Sequence, residues 1–410
     1  MDLKEKLYEK FERYAKIDTQ SDDKSSSFPT TSKQFDLLKL LAEELKQIGA
    51  SNVKMDKWGY VTASIPANTA EKKPAIGFLA HVDTSPDAPG AGVVPQIHRK
   101  WEGGDIIINK ALGIILNTDN CPELEPFKGE DIVTASGETL LGADDKAGIA
   151  IIMTAAEYLL SHPEIKHGEI KIAFTPDEEV GQGVDHFDVK AFGADYAYTF
   201  DGDVAGCIEM ENFNAHAVSI KITGKSVHPG TAKNSLANAI RIAGDIIASW
   251  PENLLPENAE GREGFIMFTD LNAEIEKAEL KGIVREHDSS KLLEMEKQLE
   301  AIVAAKRYKY PAAKIEISFR EQYRNMIEII NQHPEVMEKL EKAVRMAGLE
   351  PKIKPVRGGT DGARLSFMGL PTPNIFTGGY NYHGRYEWVS LDGMNKSAEV
   401  LLNLARLWAE

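Results

Sequence analysis

Two cysteines in 410 residues, Cys121 and Cys207, are too few for a disulfide framework or a thiolate metal site, and they suit a reducing compartment. Any metal must therefore be held by imidazole and carboxylate. No run of eighteen or more apolar residues occurs, which argues against a transmembrane helix. The N-terminal stretch MDLKEKLYEKFERYAK is charged and amphipathic where a secretory signal would be apolar, so a cytoplasmic location is expected. Cations are also in short supply: 47 Lys and Arg stand against 63 Asp and Glu, a formal net charge of -16. That balance speaks against nucleic acid and against an anionic membrane as partners, because both reward clustered Lys and Arg. Internal repeats and low-complexity tracts are absent as well. What is present, 42% hydrophobic residues in a chain long enough for two domains, is the profile of an ordinary globular protein.

The pattern is organised around Leu141 to Ala150, LGADDKAGIA, which sets Asp144 and Asp145 at the mouth of an apolar helix expected over Ala147 to Leu160. Adjacent acids at a helix start also serve as an N-cap and a complement to the helix dipole. Here they have company. Apolar runs that read as buried strands end in polar residues four times: Ala75 to Ala80 before HVDTSP, Ile170 to Thr175 before PDEEVG, Tyr196 to Phe200 before DGD, and Asn374 to Thr377 before GGYNYHG. The order strand, helix, strand implies an open α/β sheet, in which sites form beyond the carboxyl ends of strands. From about residue 212 the texture changes. Strictly alternating strands such as Ala217 to Thr223 and Lys314 to Phe319, with helices at Ser235 to Trp250 and Ser289 to Arg307, give the order β-α-β-β-α-β of a ferredoxin-like split βαβ domain with one open sheet face. The expected architecture is α/β, an open mixed sheet with helices on both faces, plus an inserted ferredoxin-like α+β domain. Residues 1-211 and 323-410 would form the catalytic part and residues 212-322 the insertion.

A dinuclear zinc site without thiols needs imidazoles, carboxylates and one anion shared between the metals. His81, Asp144, Glu179, Asp201 and His383 supply that set, with Asp144 as the bridge. Asp83, two residues after His81, is placed to fix the tautomer of that imidazole. Glu178 and Glu179 must point in different directions, so one can ligate while its neighbour stays free to take a proton. A second cluster is basic and glycine-rich: Arg357 in RGGTDG, with Arg285 and His228 in the insertion. Arginine suits a bidentate grip on a carboxylate, although RGGTDG and the HPG around His228 also read as tight turns.

Taken together, HVDTSP, LGADDKAG, TPDEEVG, FDGD, HPGTAKN, RGGTDGARLSFMGLPTPN and GGYNYHG resemble the peptidase T family, tripeptide aminopeptidases of the di-zinc aminoacylase and carboxypeptidase clan. The resemblance runs in order over essentially the whole chain. It implies two zinc ions per subunit, one held by His81, Asp144 and Asp201 and the other by Asp144, Glu179 and His383. It implies that Glu178 is the general base acting on the bridging water, that Asp83 orients His81, and that the Asp144–Asp145 peptide is cis. It further implies a homodimer built through the insertion, His228 as an oxyanion donor, and Arg285, Asn238 and Arg357 as substrate-binding residues. One departure is Arg262 in PENAEGREGFIMF, where the family has an aromatic residue, and it bears on substrate preference. Other amide hydrolases of the clan (dipeptidases, carboxypeptidases, N-acyl amino acid deacylases) would share the metal site, and a non-catalytic, metal-stabilised peptide-binding protein would keep it without needing Glu178.

Overall fold

The computed structural model describes residues 2–410, and the chain divides into two compact units. One comprises the chain up to Met210 with Met326–Lys354 and Thr360–Glu410; the other comprises Glu211–Asn325 with Pro355–Gly359.

The first unit is built on an eight-stranded sheet in the order Ser51–Met55, Val61–Ile65, Ile170–Thr175, Ile76–His81, Tyr196–Gly202, Asn374–Phe376, Cys207–Asn212, Lys352–Val356. Its central strands, Ile170–Thr175, Ile76–His81, Tyr196–Gly202 and Asn374–Phe376, run parallel, with antiparallel neighbours on either side. Strands covered on both faces should read as continuous apolar runs. Ile76–His81 does, and every residue in it is buried. Register then aligns the strand ends: His81 pairs with Thr175, and Leu79 with Thr199 two residues short of Asp201. The helix Ala143–Ser161 is buried almost all round because its sequence is apolar all round. It packs on strands Ile76–His81 and Tyr196–Gly202 and beneath helices Lys4–Ala15 and Leu391–Leu407. The expected helix start, Ala147, lies inside it, since Asp144 and Asp145 are at its entry with non-helical backbone angles.

A second four-stranded sheet, Gly379–Tyr380, Trp388–Ser390, Ile132–Thr134, Gln96–His98, has no counterpart in the sequence-based expectation. Its strands are two or three residues long, too short to show a period. It is anchored instead by aromatic packing, with the fully buried Trp388 stacked on Tyr380 at 4.1 Å and met edge-on by Phe127.

The other unit is a four-stranded antiparallel sheet, Phe265–Ala273, Lys277–Glu286, Asn214–Thr223, Lys314–Tyr323, with helices Ala239–Ile247 and Ser289–Lys309. Val218, Ile220, Ile222, Leu280 and Val284 face the helices, while Ser219, Lys221, Glu279 and Lys281 alternate with them on the opposite face. Two expectations are corrected here. Arg357, Gly358 and Gly359 belong to this unit and not to the catalytic flank, because the Arg357 guanidinium donates to the carbonyls of Ala259, Gly261 and Glu263. The helix expected from Ser235 begins only at Ala239. Ala237 is engaged in a backbone bridge with Lys225, and the Asn238 side chain accepts from the N–H groups of Ile240 (2.9 Å) and Arg241 (3.3 Å), capping the helix there. Asn238→Ala should therefore cost about 1 kcal/mol, read as a lower urea midpoint, whereas Asn238→Asp, which keeps the capping oxygen, should unfold close to the parent.

Candidate metal and catalytic site

Four strand ends and one helix mouth of the first unit bring the candidate ligands together. Asp144 is central. Its Oδ1 lies 2.9 Å from His81 Nε2, and its Oδ2 lies 3.3 Å from His383 Nε2. His81 Nε2 is also 3.3 Å from Asp201 Oδ1, and His383 Nε2 is 3.0 Å from Glu179 Oε2. Two groups able to hold a metal result, His81–Asp144–Asp201 and Asp144–Glu179–His383, and they share the Asp144 carboxylate. The Asp144–Asp145 peptide is cis.

Backbone donors and polar anchors fix this cluster. The turn Glu178–Val180 starts with two N–H groups that donate to the Asp83 carboxylate at 3.0 and 3.2 Å, so Asp83 caps the turn that carries both glutamates. His81 Nδ1 sits 3.3 Å from the same carboxylate and 3.1 Å from the Asp83 carbonyl, leaving Nε2 to face Asp144. Asp177, at φ +58°, accepts from the Thr30 N–H, the Thr30 hydroxyl and the Gln34 amide, which ties the turn to the start of helix Gln34–Gln47 and the loop before it. His383 itself has φ +62°, a left-handed conformation unfavourable for a residue with a β-carbon.

Burial and mutual repulsion perturb the titration of the cluster. Burial pushes Glu178 well above the usual carboxylate range, helped by the Asp201 charge, and raises Glu179 to about 8 and Asp201 to about 6. Asp144 goes the other way: burial would raise it, but hydrogen bonds from His383 and His81 outweigh that and hold it low. For His81, burial opposes the charge, yet Asp201 and the hydrogen bonds to Asp144, Asp201 and Asp83 push it well up. Hydrogen bonds to Asp144 and Glu179 take His383 to about 11. So much proton retention marks an excess of negative charge of the kind that divalent cations offset. The donor set fits them, since two imidazoles with three carboxylates are hard and borderline ligands suited to zinc-like ions. Glu179 Oε1 adds a direct sign: it is buried and has no hydrogen-bond partner among the described residues, as a ligand oxygen would be.

Glu178 lines a small pocket with His81, Asp145, Thr175, Thr199, Asp201 and Asp361. Asp361 was not among the sequence candidates. It accepts from the Thr175 hydroxyl at 3.0 Å, and burial takes it up to about 7. The signal was available in RGGTDG, where only the arginine was read as chemical. The sequence pattern marks Asp145 only as the neighbour of Asp144, though it is fully buried and accepts the His81 and Gly148 N–H groups, and it gives Glu387 no role. The remaining candidates stand in the other unit. His228 is exposed, and its ring Nδ1 accepts from the Gly230 N–H. Arg285 lies 5.3 Å over the Tyr323 ring and donates to the carbonyls of His216 and Val284. Arg357 stacks over Phe213 and Phe265, and Asn238 is the helix cap.

Comparison with known proteins accords with this geometry. The model of peptidase family M20/M25/M40 matches residues 118–407. The chain belongs to that family. It is therefore an enzyme, a metallopeptidase, and its likeness to peptidase T spans the whole chain: peptidase T of Caldanaerobacter subterraneus subsp. tengcongensis is 49% identical over 405 residues, 99% of each protein. Among M20 folds, the crystal structure of aminopeptidase PepT from Bacillus cereus aligns with a TM-score of 0.78 at 22% identity, covering 99% of both chains. A Bacillus subtilis protein described as a dinuclear metal-binding peptidase of the M20 family aligns at a TM-score of 0.67 and 15% identity over 99% of this chain and 98% of that one.

If His81 and His383 are ligands, metal must displace protons from two imidazoles whose proton affinity is raised. Apparent zinc affinity should thus rise between pH 6 and pH 8, as measured by competition with a chromophoric chelator; an affinity independent of pH would count against His81 and His383 as ligands.

Proposed function

We propose that the chain is a tripeptide aminopeptidase that uses two zinc ions. The observation that carries this is the shared Asp144 carboxylate, with an imidazole on each of its oxygens and a second carboxylate completing each group. His81, Asp144 and Asp201 would hold one ion, and Asp144, Glu179 and His383 the other. When bound, the ions supply Lewis acidity, acidifying water and polarising the scissile carbonyl. Glu178 does the proton work. Its carboxylate faces the pocket, forms no side-chain hydrogen bond or ion pair among the described residues, and has the raised proton affinity of a group that takes a proton from attacking water and returns it to the leaving amine. Asp83 positions both glutamates through their N–H groups and orients His81.

The tripeptide preference is taken from the likeness to peptidase T. With it come His228 as an oxyanion donor, Arg285, Asn238 and Arg357 as substrate-binding residues, a homodimer, and a cytoplasmic site of action. The free state of both buried cysteines suits that compartment, and no helix among the described residues is long and apolar enough to cross a membrane.

The deciding experiment is hydrolysis of di-, tri- and tetra-alanine by zinc-loaded and chelator-stripped protein, with products identified by mass. Release of alanine mainly from the tripeptide, abolished by N-acetylation and restored by zinc, is the expected result. Cleavage of N-acetylated peptides would point to a deacylase or carboxypeptidase instead. Glu178→Ala should retain zinc yet lose on the order of 10² to 10⁴ in kcat, and His228→Ala should lower kcat far more than it raises KM. Full turnover in either variant removes that residue from the mechanism.

A further inference from the structure

Glu387 belongs to none of the ligand groups, yet it is 1% exposed and holds the backbone from which the bridging carboxylate hangs. Its Oε2 accepts the N–H groups of Leu141 (2.6 Å) and Gly142 (2.9 Å), and its Oε1 accepts those of Ala143 (2.7 Å) and Asp144 (3.2 Å). Four consecutive amides thus converge on one carboxylate, two on each oxygen. These are donors of a helix entry that would otherwise be left without partners inside the protein.

The placement of Glu387 gives this clamp a second consequence. It lies four residues beyond His383 and immediately before Trp388, which is fully buried and paired with Thr134 and Tyr380. The rigid strand Trp388–Ser390 therefore fixes one end of the clamp, and the other end is the segment that delivers Asp144. We infer that Glu387 is a positioning residue that sets Asp144 and His383 at ligand distance from each other, so that both metal groups depend on it although it touches neither ion.

The chemistry of the amide pairs makes the idea testable with one atom. A glutamine at this position offers one acceptor oxygen and one NH2 group. Whichever way the amide turns, two backbone N–H groups then face a donor. The segment 141–144 would shift or loosen, and with it the carboxylate common to both groups. Outer-shell changes of this kind weaken metal binding by about 10- to 100-fold.

The inference rests on the two-ion reading, and the experiment separates the two. Zinc alone is titrated into metal-free full-length protein, wild type and Glu387→Gln, in competition with a chelator, with circular dichroism and thermal unfolding of the metal-free forms alongside. Fewer than two zinc ions on the wild type overturns the two-ion reading and the inference together. With two ions on the wild type, the expected result is that Glu387→Gln weakens both by about 10-fold or more, while His383→Ala weakens one. Excess zinc should restore kcat in Glu387→Gln with KM unchanged, which a general loss of stability would not produce. Wild-type affinity for both ions, or weakening confined to one, overturns the role. Should Glu387→Gln fail to fold, Glu387→Asp keeps the charge but falls short of the four amides. It should bind both ions more weakly than the wild type, and unchanged binding in it is equally fatal.

Discussion

Like charges crowded at one end of a sheet are the constraint the first unit has to satisfy. Asp83, Glu178, Glu179 and Asp201 follow or end strands whose register aligns their ends, and Asp144 joins them from a helix mouth. Buried and set against one another they would hold protons, and the raised values at Glu178, Glu179 and Asp201 express burial first and that repulsion second. The fold offsets the repulsion with two imidazoles, with backbone N–H groups aimed at Asp83, Asp145 and Glu387, and with a charge requirement that divalent cations fit. Of these five carboxylates, Asp83 is met by amides and Asp144, Glu179 and Asp201 by imidazoles. Glu178 has neither kind of partner among the described residues, a freedom that suits the proton carrier proposed above.

The same constraint explains which parts of the molecule were legible in the amino-acid sequence. Parallel strands buried on both faces need unbroken apolar runs, so Ile76–His81 and Ile170–Thr175 stood out, and polar residues immediately after such runs marked the site. The antiparallel sheet of the inserted unit announced itself by alternation, as in Asn214–Thr223, because one of its faces carries polar residues. The α/β class with an inserted ferredoxin-like unit followed from these two textures.

What stayed hidden depends on partners distant in sequence. The sheet that joins Gly379–Tyr380 to Gln96–His98 is made of strands too short for periodicity and held by Trp388, Tyr380 and Phe127. Glu387 and Asp361 look like ordinary surface acids until the amides and the hydroxyl they face are known. Resemblance implies a substrate role for Asn238, whereas its helix-capping geometry depends on Ala237 bridging to Lys225, a pairing no local pattern announces. Arg357 sat in a motif that reads as part of the catalytic flank, but its hydrogen bonds to Ala259, Gly261 and Glu263 place it with the insertion.

The order of the ligands along the chain has a further consequence. About 300 residues separate His81 from His383, with the whole inserted unit between them, so the site closes an unusually long loop. During synthesis the segments bearing His81, Glu179 and Asp201 emerge well before the segment bearing His383 and Glu387. A growing chain therefore carries His81, Asp144, Glu179 and Asp201 long before it can complete the cluster with His383 or hold the 141–144 amides with Glu387. Peptide cleavage by the proposed site would accordingly wait on the segment that brings His383 and Glu387.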